Sequence, residues 1–161
     1  MNGLKELRIR KKLTQRETAE LLGVSLRSYI SYENEERKAG TPKYRFLMQE
    51  LERLDPLDED HGILTLADIK AGCAEVFAGY RVEFCWLFGS YAKGTPKESS
   101  DVDLVIAADE EGLRYYELAE RLRETLRKRI DLLDIKQLTG NEALLREVLR
   151  EGIRIYEQPQ E

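Results

Sequence analysis

The chain has 161 residues, 42% of them apolar and 35% charged, which is enough for one average domain or two small ones of a water-soluble kind. No apolar run approaches the roughly 20 residues that cross a bilayer, and two cysteines with one histidine exclude a four-ligand zinc site. The net charge of −5 hides an asymmetry: residues 1–55 carry 12 Lys and Arg against 9 Asp and Glu, whereas residues 56–161 carry 14 against 22.

The first residues, MNGLKELRIRKK, lack the apolar centre of a secretory signal, so the cytoplasm is the expected address, with no membrane partner. Cys73 and Cys85, in AGCAEVF and EFCWLF, then read as reduced, buried helix and strand positions.

Four helices and no strand are predicted before residue 55. The first runs from about Leu4 to Lys12. Thr14 caps a second, Gln15 to Leu22, where Glu17 can return the capping bond, and Gly23 ends it. Ser25 caps a third, Leu26 to about Asn34, with Ile30 facing inward. Thr41-Pro42 opens a fourth, in which Phe46, Leu47, Leu51 and Leu54 recur at helical spacing. DPLDEDHG, around residues 55–62, gathers acidic and breaker residues as an exposed linker does.

After the linker the pattern alternates. Thr65 with Asp68 starts a helix to about Gly79, and VEFCWLF follows as a strand on which Val82, Phe84, Trp86 and Phe88 alternate. Val102–Ala107 is a second strand, Leu113–Lys128 a helix, IDLLDI a third strand, and Asn141–Glu151 a helix that Gly152 terminates. IRIYE adds a short fourth strand. The expected class is α+β overall, an all-α domain followed by a small α/β domain with a mixed sheet.

TQRETAELLGVSLRSYISYE has the form of two short helices joined by a tight turn containing Gly23, which can present the second helix to a major groove. Through Thr14, Gln15, Ala19, Leu22, Gly23, Val24, Ser25, Ile30 and Glu33 it resembles the helix-turn-helix domain of the XRE or Cro/C1-type repressors, with Thr18 where that family usually has leucine. The resemblance implies that Gln15 and Arg16 lie near phosphates of operator DNA while Arg27, Ser28 and Ser31 face base edges. Glu33 reads as a structural partner of Arg8, because a carboxylate beside phosphates is unfavourable.

The most informative stretch is FGSYAKGTPKESSDVDLVI, residues 88–106. Residues i and i+2 of a strand share a face, so Asp101 and Asp103 present adjacent carboxylates while Val102 and Leu104 turn to the packed side. Such a pair suits a divalent cation, and magnesium takes one or two carboxylates plus substrate phosphates. Gly89 permits close backbone approach to an anion, and Ser90 begins a helical turn with free N–H groups. Asp131, in IDLLDI, supplies a third carboxylate for a site of two magnesium ions and is the base candidate, whereas Asp134 points the other way. Lys93 can steady leaving phosphates. GSYAKGT is not a P-loop, because no Lys follows Gly94.

Strand, Gly89-Ser90, helical turn, Asp101 and Asp103, then Asp131 together resemble the DNA polymerase β superfamily of nucleotidyltransferases, most closely its minimal nucleotidyltransferase branch, over about residues 63–157. Tyr91 stands where many members carry Arg. The expected organisation is therefore a helix-turn-helix domain at 1–55, a linker at 56–62 and a minimal nucleotidyltransferase domain at 63–157.

The resemblance implies magnesium-dependent AMP transfer from ATP to a tyrosine hydroxyl of a HEPN-domain ribonuclease toxin, with the chain as its antitoxin and the front domain regulating its own promoter. A homodimer, or a hetero-oligomer with the toxin, is expected. The alternative is a repressor whose second domain only binds nucleotide or toxin. Transfer to a small molecule lacks a second substrate lobe in so short a domain, and self-modification at one of eight tyrosines stays open.

Overall fold

A computed structural model describes residues 2–160, and by its internal contacts the chain divides after Asp55 into two units. Each α-helix of the first unit starts at a side chain that accepts an otherwise orphaned backbone N–H. Asn2 caps α1 (Gly3–Arg10), Thr14 caps α2 (Gln15–Leu21), Ser25 caps α3 (Leu26–Asn34) and Thr41 caps α4 (Pro42–Arg53). Each such cap contributes about 0.5–2 kcal/mol. At α2 the capping box closes both ways: Glu17 N donates to Thr14 Oγ1 at 3.2 Å, and Thr14 N donates to Glu17 Oε2 at 2.7 Å.

Leu4, Leu7, Leu13, Ala19, Tyr29, Tyr44, Leu47 and Leu51 form the core of this unit. Tyr29, not Ile30, fills the inward position of α3, and Ile30 is only half-buried. On α4 the buried stripe is Tyr44, Leu47 and Leu51, spaced three and four residues apart, which leaves Phe46 54% exposed. Thr18 occupies its position without an unpaired hydroxyl, since Oγ1 donates to the Thr14 carbonyl at 2.8 Å.

The second unit runs α5 (Leu66–Phe77), β1 (Val82–Phe88), α6 (Gly89–Lys93), β2 (Val102–Ala108), α7 (Leu113–Leu126), β3 (Ile130–Asp134), α8 (Glu142–Glu151) and β4 (Ile153–Glu157). The strands lie in the order β3-β2-β1-β4. β1 is antiparallel to β2 and β4, while β3 returns parallel to β2 after the α7 crossover. α5 and α7 bury Ile69, Cys73, Phe77, Leu118, Leu122 and Leu126 against Cys85, Leu87, Leu104 and Ile106. At about 1.5–3 kcal/mol for each large apolar side chain, this layer is the main stabilising element of the unit. Phe88, Val105, Leu138 and Val148 make a smaller cluster, with Trp86, Leu133 and Leu144 beside it.

The alternation of β1 departs from Val82, Phe84, Trp86 and Phe88 because a bulge falls between Val82 and Phe84. One extra residue reverses the phase. Val82, Cys85 and Leu87 therefore join the main core, and Trp86 and Phe88 join the smaller cluster. Burial of Cys73 and Cys85 pushes the Cys85 thiol well up, leaving it an unreactive core residue.

The stretch expected as an exposed linker is held down by the second unit. His61 is buried, with Nδ1 at 2.8 Å from Asp58 Oδ1. α7 ends at Arg127 in the left-handed conformation, φ +58°, and this turn sends the Lys128 side chain inside. The fully buried Lys128 ammonium donates to the carbonyls of His61 (3.0 Å), Gly62 (2.6 Å) and Glu98 (2.6 Å). Among the described residues no helix is long and apolar enough to cross a membrane.

Candidate functional site

β1 ends in a backbone turn that only glycine makes comfortably. Gly89 has φ +68°, and a Cβ there would overlap the carboxylate of Asp103. The overlap follows from the ladder: Phe88 is the partner of Asp103 across the antiparallel β1–β2 pair, and Asp131 is its partner across the parallel β2–β3 pair. Val102 and Leu104 face the main core, so Asp103 projects from the opposite side of β2.

Three chain segments thus converge at one rim of the sheet, and their charges are felt together. Burial and the negative charges of Asp131, Asp101 and Glu147 push the Asp103 carboxyl up to about 6, against a smaller downward pull from the Lys93 ammonium. A carboxylate crowded by three others and faced by one ammonium is left short of positive charge. That chemistry, hard oxygen donors on adjacent strands without a matching cation, fits a divalent ion such as magnesium.

Asp101 is engaged differently. Its Oδ1 accepts from Arg129 Nε at 3.2 Å, and the same guanidinium reaches Glu59 Oε2 at 3.3 Å and Asp60 Oδ1 at 3.4 Å. Among the described residues no three His, Cys, Asp or Glu side chains are gathered to hold a metal as they stand. Asp103 and Asp131 adjoin through the strand register, and Asp101 would complete the set by leaving Arg129. A cleft of about 500 Å³, lined by Glu59, Asp101, Arg123, Arg129, Ile130 and Asp131, opens beside these acids.

Ser90 sits in the first turn of α6, half-buried, next to Gly89. Tyr91 turns inward, and its hydroxyl accepts from Leu64 N at 3.4 Å, so it braces the core and offers no cation to a phosphate. Lys93 is shared by two carboxylates of α8, Glu147 at 3.2 Å and Glu151 at 3.4 Å, which hold its ammonium pKa above the usual value. Glu147 is the neighbour that sequence reasoning missed. It lies 44 positions beyond Asp103 on a helix whose pattern signals only amphipathicity. Asp134 caps the turn after β3, accepting from Lys136 N at 2.9 Å, and takes no part in the rim.

In the first unit Glu33 is buried and receives Arg8 by a two-pronged pair, Nε to Oε2 at 2.8 Å and Nη2 to Oε1 at 2.9 Å. Gln15 also donates to Glu33 Oε1, at 3.0 Å, and so braces α2 against α3. Ser31 donates to Glu35 Oε1 and accepts from Lys38, while Ser28 accepts from Lys43 at 3.4 Å. Arg16 and Arg27 are exposed.

Comparison with known proteins gives two family matches, a helix-turn-helix domain over residues 2–65 and the polymerase beta nucleotidyltransferase domain over residues 72–161. A protein adenylyltransferase MntA of Shewanella oneidensis is 32% identical over 78 residues, which is 47% of this chain and 55% of that protein. A protein adenylyltransferase MntA of Thermococcus cleftensis is 34% identical over 101 residues, 62% of this chain and 95% of that protein. Among solved structures, a toxin-antitoxin crystal structure with AMP-PNP aligns at a TM-score of 0.48 and 24% identity, over 56% of this chain and 75% of that one.

Proposed function

We propose, from the premise that this chain belongs to the polymerase beta nucleotidyltransferase family and carries a helix-turn-helix domain ahead of it, that it is a protein adenylyltransferase and an antitoxin. The reaction moves AMP from ATP to a tyrosine hydroxyl of a HEPN-domain ribonuclease. The hydroxyl oxygen forms a bond to the α-phosphorus, the bond to pyrophosphate breaks, and the hydroxyl proton goes to a carboxylate. The observation that carries this reading is the register of Asp103 with Asp131 beside the Gly89 turn.

Asp101, Asp103 and Asp131 would hold magnesium, which when bound neutralises charge on the phosphates and lowers the pKa of the attacking oxygen. Asp131, exposed at the edge strand, would take the hydroxyl proton. Gly89 and Ser90 let backbone N–H groups and a hydroxyl approach the triphosphate oxygens. Lys93, once released from Glu147 and Glu151, would steady the departing pyrophosphate. The test is transfer of label from α-labelled ATP to a co-expressed HEPN partner with magnesium. Asp101→Asn/Asp103→Asn protein that still labels the partner would overturn the site.

The first unit supports operator binding. Arg16 at the start of α2 and Arg27 on α3 are exposed cations, with Ser28 and Ser31 beside them, on a pair of helices braced by Arg8, Gln15 and Glu33. Arg27→Ala should weaken binding to the chain's own promoter fragment by about 1–3 kcal/mol if it reads a base, and more evenly across sequences if it meets only phosphate. Fluorescence anisotropy against promoter and scrambled DNA separates the two. No DNA binding by the native protein would remove the autoregulatory reading.

A further inference from the structure

Arg129 stands between two groups of acids that come from distant parts of the chain. On one side Nε donates to Asp101 Oδ1 at 3.2 Å and Nη2 to the Ser99 carbonyl at 3.4 Å. On the other, Nη1 donates to Glu59 Oε2 at 3.3 Å and Nη2 to Asp60 Oδ1 at 3.4 Å. Both sides are fixed in place by one neighbour, Lys128, which binds the carbonyl of Glu98 beside the first group and those of His61 and Gly62 beside the second. Arg123 adds a bond to Glu59 Oε1 at 2.8 Å.

None of the Arg129 contacts is strong. Charge-assisted bonds at their best are about 2.7–2.9 Å, and the side chains of Arg129 and Asp101 are 45% and 51% exposed. Exposed pairs contribute only about 0–1 kcal/mol. The guanidinium is therefore shared between the two sides at little cost in moving toward either.

We infer that Arg129 is a positioning residue that gives up Asp101 and settles on Glu59 and Asp60 when a divalent cation takes Asp101. A guanidinium and a dication on one carboxylate repel each other, and the displaced charge needs a counter-anion within reach. Glu59 and Asp60 already lie within reach, so a side-chain rotation completes the exchange. The acids of residues 59–60 thereby favour cation binding without touching the cation. This rests on the proposed metal site at Asp101, Asp103 and Asp131.

The test is calorimetric titration of the full chain with magnesium alone, without nucleotide or acceptor, so that turnover plays no part. Arg129→Gln should bind magnesium about 2- to 5-fold more tightly, the worth of one or two exposed ion pairs, and Glu59→Gln/Asp60→Asn about as much more weakly. In the Arg129→Gln background the same pair of changes should have no effect, because nothing remains to be held. Arg129→Lys, which keeps the charge without the fork, should fall between native and Arg129→Gln. Equal weakening in both backgrounds means simple long-range attraction and overturns the exchange alone. Weaker binding by Arg129→Gln also overturns it. Titration heat that is absent in the native protein, or that survives in Asp103→Asn, overturns the metal site and takes the exchange with it. Half-exposed positions of this kind should leave the melting temperature nearly unchanged, which a thermal scan of each variant verifies.

Discussion

Asp103 of β2 and Asp131 of β3 are direct partners in a parallel ladder, so their side chains leave the sheet on the same side and next to each other. Two like charges in that relation oppose folding of the cation-free protein. The arrangement is a local cost that a dication at the proposed site would remove.

The first consequence concerns stability. The Asp103 carboxyl sits at about 6 in the fold, against about 3.9 in an unfolded chain. A raised acid contributes stability that is complete below the unfolded value and lost as pH climbs through the folded one. Metal-free native protein should therefore lose stability between about pH 4 and pH 6 relative to Asp103→Asn. At pH 7 the variant should be more stable by about 1 kcal/mol after discounting for solvent screening, a few degrees in thermal melts with chelator. It should also lose adenylyl transfer by at least roughly two orders of magnitude.

Cation affinity should carry the same signature with the opposite use. Below about pH 6 a proton competes for Asp103, so magnesium affinity should rise with pH through that region and flatten above it. Titrations at pH 5, 6, 7 and 8 measure this directly, and a flat profile would show that Asp103 is not the competing group.

Gly89→Ala tests the close approach of backbone and acid. The added methyl meets the Asp103 carboxylate, and the φ of +68° strains any side chain. The strain alone should cost about 1–2 kcal/mol. Since the neighbour that must move is the acid itself, activity should fall far more than stability. A variant that melts several degrees lower yet transfers AMP at the native rate would contradict the role given to this turn.

Lys128→Met removes three donors at once. The carbonyls of His61, Gly62 and Glu98 lose their partner, and burial already lowers the lysine pKa. The expected loss is about 2–4 kcal/mol. Limited proteolysis should then cut the 56–62 stretch at lower protease concentration than in the native protein.

Much of this was legible from sequence because it is local. The capping boxes at Thr14 and Thr65, the pairing of Arg8 with Glu33 and the order of helices and strands all follow from spacing or helix chemistry. The phase of β1 was not legible, since a bulge depends on how two strands pair and leaves no mark in VEFCWLF. Nor were the contacts of Arg129 with Glu59 and Asp60, which span 70 and 69 positions, or the nearness of Glu147 to Asp103. Ordinary charged residues at such separations look like any solvated surface. The 56–62 stretch was misjudged for the same reason: its acids resemble a tether until Lys128, Arg123 and Arg129 are seen around it.

Every acid of the proposed centre, and the glycine beside them, is carried at the end of a strand or immediately next to one. Their spacing is thus inherited from the stiffest part of a small domain, so segments farther from these strand ends can vary in length without moving the acids. Under the proposed function, a chain organised this way would change the acceptor it admits through its outer loops, while the acids beside the phosphate keep their places.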